Sequence, residues 1–279
     1  MEVRPVTWQL LLPLLGVLFL GSVRAQGHTH GMDLSSTDKV RLRRQANDGD
    51  GAAAWRLYDY YAYERHNERA AEPWRRRAAE LDHAQAQLSL AGSIKDYGGD
   101  PKGFGESAQS AVRHLLERSA RTEGDACFEL ASAFAEGYFG SPDPLLVRQY
   151  FERGANFNSR MCWEELARYC HLGIGGPLDE PGAYYWTSLE SSCVDPRSVG
   201  GEETWALREA IASVLSLPEL EQAWARTDAF MTEVAAGAIS VDFAPFLSGM
   251  IDPKTEAEGR QAAKDREAEH RMTWRSRKS

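Results

Sequence analysis

The 279-residue sequence has none of the short motifs on which covalent chemistry is usually built. It holds no Gly-rich phosphate loop, no G-x-S-x-G elbow, no Cys-x-x-Cys pair and no His-Glu-x-x-His. The familiar routes to nucleotide binding, acyl transfer, dithiol redox work and zinc proteolysis are therefore missing. Histidine is scarce, seven in all, and scattered. His28 and His30 alternate near the N-terminus, but two imidazoles without a third ligand make a weak chelate. No metal and no other cofactor is expected. His83 reads as a turn residue and His171 as a helix-end residue suited to the dipole there. Long apolar runs are also missing beyond residue 25. The one early run, Leu10–Gly21, is too short to span a bilayer comfortably. With Arg4 before it and Val23-Arg24-Ala25 after it, residues 1–25 read as a secretory signal and Gln26 as the mature start. No cysteine follows the run, which argues against a lipoprotein. The expected location is an exported, periplasmic one of Gram-negative type, with no stable membrane insertion after signal cleavage.

Positive charge is in deficit. Lys and Arg number 32 against 41 Asp and Glu, for a net charge of −9. The first 25 residues hold Glu2, Arg4 and Arg24, so the remainder carries about −10. The last 27 residues are locally basic, with eight Lys/Arg against five Asp/Glu, which leaves the body more acidic still. Such a body repels nucleic acid and anionic membranes and favours a basic protein partner.

What the sequence does have is internal repetition. Leu57, Leu90, Leu130 and Leu166 lie 33, 40 and 36 residues apart, in the range of helix-pair solenoids. Four positions before each stands a small residue: Ala53, Ala86, Ala126 and Cys162. Four positions after come Tyr61, Ile94, Phe134 and Cys170. Each unit's second helix is marked by Trp74, Leu115, Tyr150 or Tyr185, and the first three are followed at four positions by Ala78, Ser119 and Gly154. Small residues let helices approach closely while large ones fill the space between. The pattern predicts helices over 50–64 and 69–81, 83–95 and 105–120, 125–136 and 144–154, and 159–171 and 182–191. Gly98-Gly99-Asp100-Pro101, Gly140-Ser141-Pro142 and Gly173–Pro177 punctuate the turns.

The best-formed stretch, Trp74, Ala78, Ala79, His83, Ala86, Gln87 and Leu90, resembles the Sel1-like repeat family, relatives of the tetratricopeptide repeats. Asp82 and Ala91 depart from it where the family favours Gly. The resemblance covers roughly residues 46–193. It implies an all-α fold: a right-handed α-α solenoid of about four helix pairs with terminal caps. Residues 26–35 read as a disordered leader. Residues 36–195 hold a cap helix, with Ser36 or Thr37 at its start, and the repeats. Residues 196–252 read as a capping helical hairpin and loop, with Leu220, Trp224, Phe230 and Met231 available for burial and Phe243, Pro245, Phe246 and Leu247 in the loop. The charged tail 253–279 has almost no apolar residues and is expected to be disordered.

Four cysteines allow three connectivities. Cys162 opens the fourth unit's first helix and Cys193 closes its second, and those ends meet in an antiparallel pair. A Cys162–Cys193 bridge is therefore expected, worth about 3–4 kcal/mol in a loop-entropy account, with Cys127 and Cys170 as reduced core residues. Asp59, Tyr60 and Tyr63 point away from the face that Trp55 and Tyr58 share on the first helix. With Glu129, Glu136 and Glu164 on later first helices they form the expected partner-binding row on a concave, acidic face. Repeats give extended surface without a closed pocket, which suits binding over catalysis. The expected function is a non-enzymatic, periplasmic protein-binding module. By analogy with small exported Sel1-like proteins it is an immunity protein that neutralises a toxic effector encoded nearby, such as a secreted phospholipase. The alternative is a general envelope scaffold, with a β-lactam-binding or hydrolysing enzyme as a more distant reading.

Overall fold

In a computed structural model the chain is described over residues 34–239, 241 and 253–278. The expected signal segment, most of the expected leader and the loop with Phe243, Pro245, Phe246 and Leu247 lie outside these residues. Among the described residues there are twelve α-helices and no strand. A first helix, α1 (Ser36–Asn47), precedes four antiparallel pairs. These are α2 (Gly51–Asp59) with α3 (Glu68–Glu80), α4 (Ala84–Tyr97) with α5 (Ala108–Ser119), α6 (Gly124–Ala135) with α7 (Pro144–Asn156), and α8 (Arg160–Leu172) with α9 (Glu180–Ser191). Then come α10 (Val199–Val214), α11 (Leu217–Ala235) and α12 (Pro253–Lys278). From α1 to α9 each helix packs mainly on its sequence neighbours, the first helices α6 and α8 also touch, and α10 and α11 both pack against α9.

Helix starts follow from short polar side chains. Asp50, Asn67, Ser107, Asp143 and Asp179 each accept a hydrogen bond from a first-turn N–H, which satisfies a donor with no partner inside the helix. Ser35 does the same for α1, so the cap sits one residue before the expected Ser36 and two before Thr37. His83 caps α4 through Nδ1, which accepts from the Ala86 N–H at 3.4 Å. Burial holds this imidazole below its usual pKa, as an acceptor nitrogen requires. Gly98 and Gly173 end α4 and α8 in the left-handed conformation.

The repeat register is borne out by burial. Leu57, Leu90, Leu130 and Leu166 are at most 1% exposed, and Ala86, Ala126 and Cys162 are fully buried. The first unit departs from the rule at its end. There α2 opens into a π-helical turn, Tyr60–Glu64, with the Arg65 N–H bonded to the Tyr60 carbonyl at 3.1 Å. A π turn takes up more residues than an α turn, and the buried aromatic is Tyr60 in place of Tyr61.

The expected Cys162–Cys193 bridge is not formed. Cys162 points into the seam with the preceding pair, where its thiol meets the Gly124 carbonyl at 3.7 Å and the open face of Gly154. A side chain committed to that seam is not available to the end of α9.

The charged tail, expected to lack structure, forms α12. It buries few apolar groups, chiefly Ala263 and Trp274, and docks by polar contacts instead. Arg208 of α10, 1% exposed, forms a two-pronged ion pair with Glu267 of α12 and donates to the Tyr184 hydroxyl at 3.2 Å. Trp224 Nε1 donates to the same hydroxyl at 2.7 Å, and His270 Nε2 lies 2.6 Å from it. With two donors already on that oxygen, the Tyr184 O–H donates to Nε2, and Nδ1–H of His270 donates to Glu209 at 2.6 Å. Trp274 Nε1 also donates to Glu209, at 2.9 Å, and Arg271 forks onto Asp228. A hydrophobic-pattern reading cannot see a helix held this way.

Candidate interaction surface

The six residues expected to form one row fall into three groups. Glu129 and Glu136, on α6 and at its C-terminal end, both face Lys95 of α4, at 3.7 and 3.9 Å. Burial raises the pKa of Glu129, and although Lys95 opposes this, the neighbouring Asp96 and Glu136 add to the rise. A single lysine thus sits among several carboxylates.

Glu164 belongs to a second group, at the junction of α8, α9 and α10. It pairs with Arg168 at 2.7 Å, as does Glu165 at 3.4 Å, while Glu190 takes Arg160 at 2.7 Å. Burial raises the pKa of both Glu164 and Glu165; for Glu164, Glu190, Glu165 and Glu203 raise it further. A cavity of about 260 Å³ opens here, with Leu172, Thr187 and Leu207 in its wall beside Glu164, Glu190 and Glu203. Arg168 lines it too, so an apolar floor meets a rim of three carboxylates and one guanidinium, a rim with room for the head of a further long basic side chain. His171, also in the wall, bonds to Glu180 at 2.7 Å.

Asp59, Tyr60 and Tyr63 form the third group and do not share a face with the carboxylates. The π turn rotates this segment, so the α-helical count from Trp55 fails beyond Asp59. Tyr60 is core, 4% exposed, with its hydroxyl turned to Lys39 of α1 and Arg65. Tyr63 meets Tyr58 edge-on at 6.0 Å, and burial raises its phenol pKa. Asp59 is half-buried beside it. Sequence reasoning missed the α8–α10 cavity, because Glu190, Glu203 and Leu207 lie outside the repeat positions and meet Glu164 only through the packing of three helices.

Nucleophilic cysteine chemistry finds no support in the thiols. Burial pushes Cys127 and Cys170 up to about 11 and raises Cys162 well above its usual value, so all three stay protonated at neutral pH. Among the described residues no three His, Cys, Asp or Glu side chains converge to hold a metal ion. No described helix is long and apolar enough to cross a membrane.

Comparison with solved structures decides the architecture. A Sel1 repeat protein from Oxalobacter formigenes superposes with a TM-score of 0.50 at 22% identity, over 60% of this chain and 47% of that one. The chain folds as a Sel1-like repeat solenoid. A protective antigen of uropathogenic Escherichia coli strains, described as displaying an SLR fold, matches with a TM-score of 0.46 and 18% identity over 72% of this chain and 49% of that one. The chain therefore aligns with about half the length of each. No family model matches the sequence, and no curated protein does.

Proposed function

We propose that this Sel1-like solenoid is a protein-recognition module whose partner is basic. The observation that carries the reading is the pair of carboxylate groups around Glu129 and Glu164, where burial first and the neighbouring carboxylates second raise the pKa values of those two residues. Crowded, poorly hydrated carboxylates gain more from an incoming Lys or Arg than solvated ones do. The apolar floor beside Glu164 adds contact for the stem of that side chain. The net charge of −9 would speed encounter with such a partner.

In its finer form the reading is an immunity protein. Residues 1–25 carry the chain to a periplasm, and its acidic face covers a toxic effector, such as a secreted phospholipase, encoded next to it. The test is capture of the adjacent gene's product by the purified mature chain at low and high salt, beside a Glu164→Lys, Glu203→Lys variant. A stoichiometric complex that weakens with salt and is lost in the variant supports the reading. Failure to capture at low salt, or capture indifferent to the two substitutions, overturns it.

A further inference from the structure

The opposite end of the molecule carries the opposite charge. Helix α1 bears Lys39, Arg41, Arg43 and Arg44 against Asp38 alone. Arg41 turns back to Asp38 and Arg44 lies near Asp48. Lys39 and Arg43 do neither. They face an open cleft of about 570 Å³ between α1 and the π turn, which Arg65 and Asn67 also line. Within it Lys39 Nζ donates to the Tyr60 hydroxyl at 3.2 Å, Arg65 Nε donates to that hydroxyl at 2.6 Å, and Arg43 Nη2 donates to the Tyr61 hydroxyl at 2.6 Å.

We propose that this cleft is an anion site that takes a phosphate monoester group. Lys39, Arg43 and Arg65 converge on two phenols, and for Lys39 and Arg43 a neutral hydroxyl accepts the hydrogen bond without cancelling charge. Of the described residues that line the cleft none is acidic, and among the described residues neither Lys39 nor Arg43 pairs with a carboxylate. Two helix N-termini add to the field, since Ser36 opens α1 and Asn67 caps α3, and both line the cleft. The donors are one ammonium, two guanidinium forks and two hydroxyls, set on different walls. That spread surrounds a tetrahedral dianion better than it meets a planar carboxylate. Consistent with a strongly positive setting, the hydrogen bonds from Arg65 and Lys39 pull the Tyr60 phenol below its usual pKa. The phosphate can belong to a soluble ester or to a lipid headgroup, and the chemistry of the cleft is the same for both. The site stands apart from the acidic surface and does not depend on it.

The experiment titrates the full mature chain with inorganic phosphate by ³¹P NMR and, separately, sediments it with vesicles of phosphatidylcholine alone or with phosphatidic acid, whose headgroup is a phosphate monoester. A Lys39→Gln, Arg43→Gln variant is compared with Arg41→Gln, Arg44→Gln, which removes equal charge from the same helix outside the cleft. Thermal melts confirm that both variants fold. We expect saturable binding that the first variant weakens about tenfold or more, roughly 1.4 kcal/mol, and the second leaves within about twofold. Loss of phosphate binding in the first variant alone assigns a soluble ester. Loss of phosphatidic acid co-sedimentation in that variant alone assigns a headgroup. Binding to neither probe, or equal weakening by the two variants, overturns the proposal.

Discussion

At the scale of single residues, the closest approach in the stack decides what can be changed. Gly154 of α7 faces Cys162 of α8, Cys127 of α6 and the Gly124 carbonyl, the last two 3.0 Å from where a Cβ would stand. The cysteine thiol is nearer still, so Gly154→Ala forces three helices apart. Overpacking of this kind costs about 1–3 kcal/mol, and a urea melt should show it. Cys162→Ala removes the obstructing sulfur, so the double variant should lose less than the two single losses combined. Strict additivity would mean that the two positions do not press on one another. The need for a small residue at Gly154 was legible, because one recurs four places after the markers Trp74, Leu115 and Tyr150. Asp82 was legible as an oddity and no more: it stands where the repeat favours Gly, and its φ of +62° explains that preference. Its carboxylate bonds Gln87 at 3.2 Å and Arg118 Nε at 2.9 Å. Here the lost conformational freedom is offset by a link between helix pairs, and no spacing rule announces such a trade.

At the scale of elements, nearly every helix in the repeats begins and ends within a few residues of the sequence expectation, because capping side chains and glycines mark both ends. The elements that differ are those whose signal is not apolar periodicity. The π turn shifts Tyr60 into the core by widening one turn, which a period of 3.6 cannot register. Helix α12 was invisible because, beyond Ala263 and Trp274, its docked face is made of Glu267, His270 and their partners. That chemistry makes its docking pH-sensitive. Burial lowers the His270 pKa, Arg208 lowers it further, and Glu209 opposes. The unfolded imidazole, with an ordinary value of 6.5, therefore binds a proton before the folded one does. Stability from this group is complete above 6.5 and is lost as pH falls through the folded value. Glu267 acts at lower pH. Burial alone would raise it, but Arg208 and Arg271 bring it from 4.5 to about 2, so its contribution is held above 4.5 and lost toward about 2. Tryptophan fluorescence, with Trp205, Trp224 and Trp274 around His270, should change between pH 7.5 and 5. His270→Gln should flatten that first step and leave the more acidic one in place. An unchanged profile in the variant would assign the step to another group.

At the scale of the whole molecule, a solenoid holds together through neighbours only, so damage at one end should stay there. Helix α10 is the exception worth testing, because it has two buried sides. Glu203, Thr204 and Leu207 wall the acidic cavity, while Arg208 and Glu209 receive α12. Removing residues 253–279 leaves Arg208 buried without its carboxylate, and a broken buried pair costs about 3–5 kcal/mol. The loss cannot be confined to the missing helix, since Tyr184 of α9 and Trp224 of α11 share the same network. Hydrogen exchange on the truncated chain should therefore show faster exchange in α9, α10 and α11, and unchanged exchange in α2 to α5. Glu267→Gln, which keeps α12 but removes its charge, should give the same pattern at smaller amplitude. If protection fell uniformly along the chain, the repeats would be one cooperative block and the nearest-neighbour picture would be wrong. If it fell nowhere, α12 would be an ornament on a self-sufficient stack. The graded outcome would mean instead that the C-terminal helix sets the rigidity of the cavity wall.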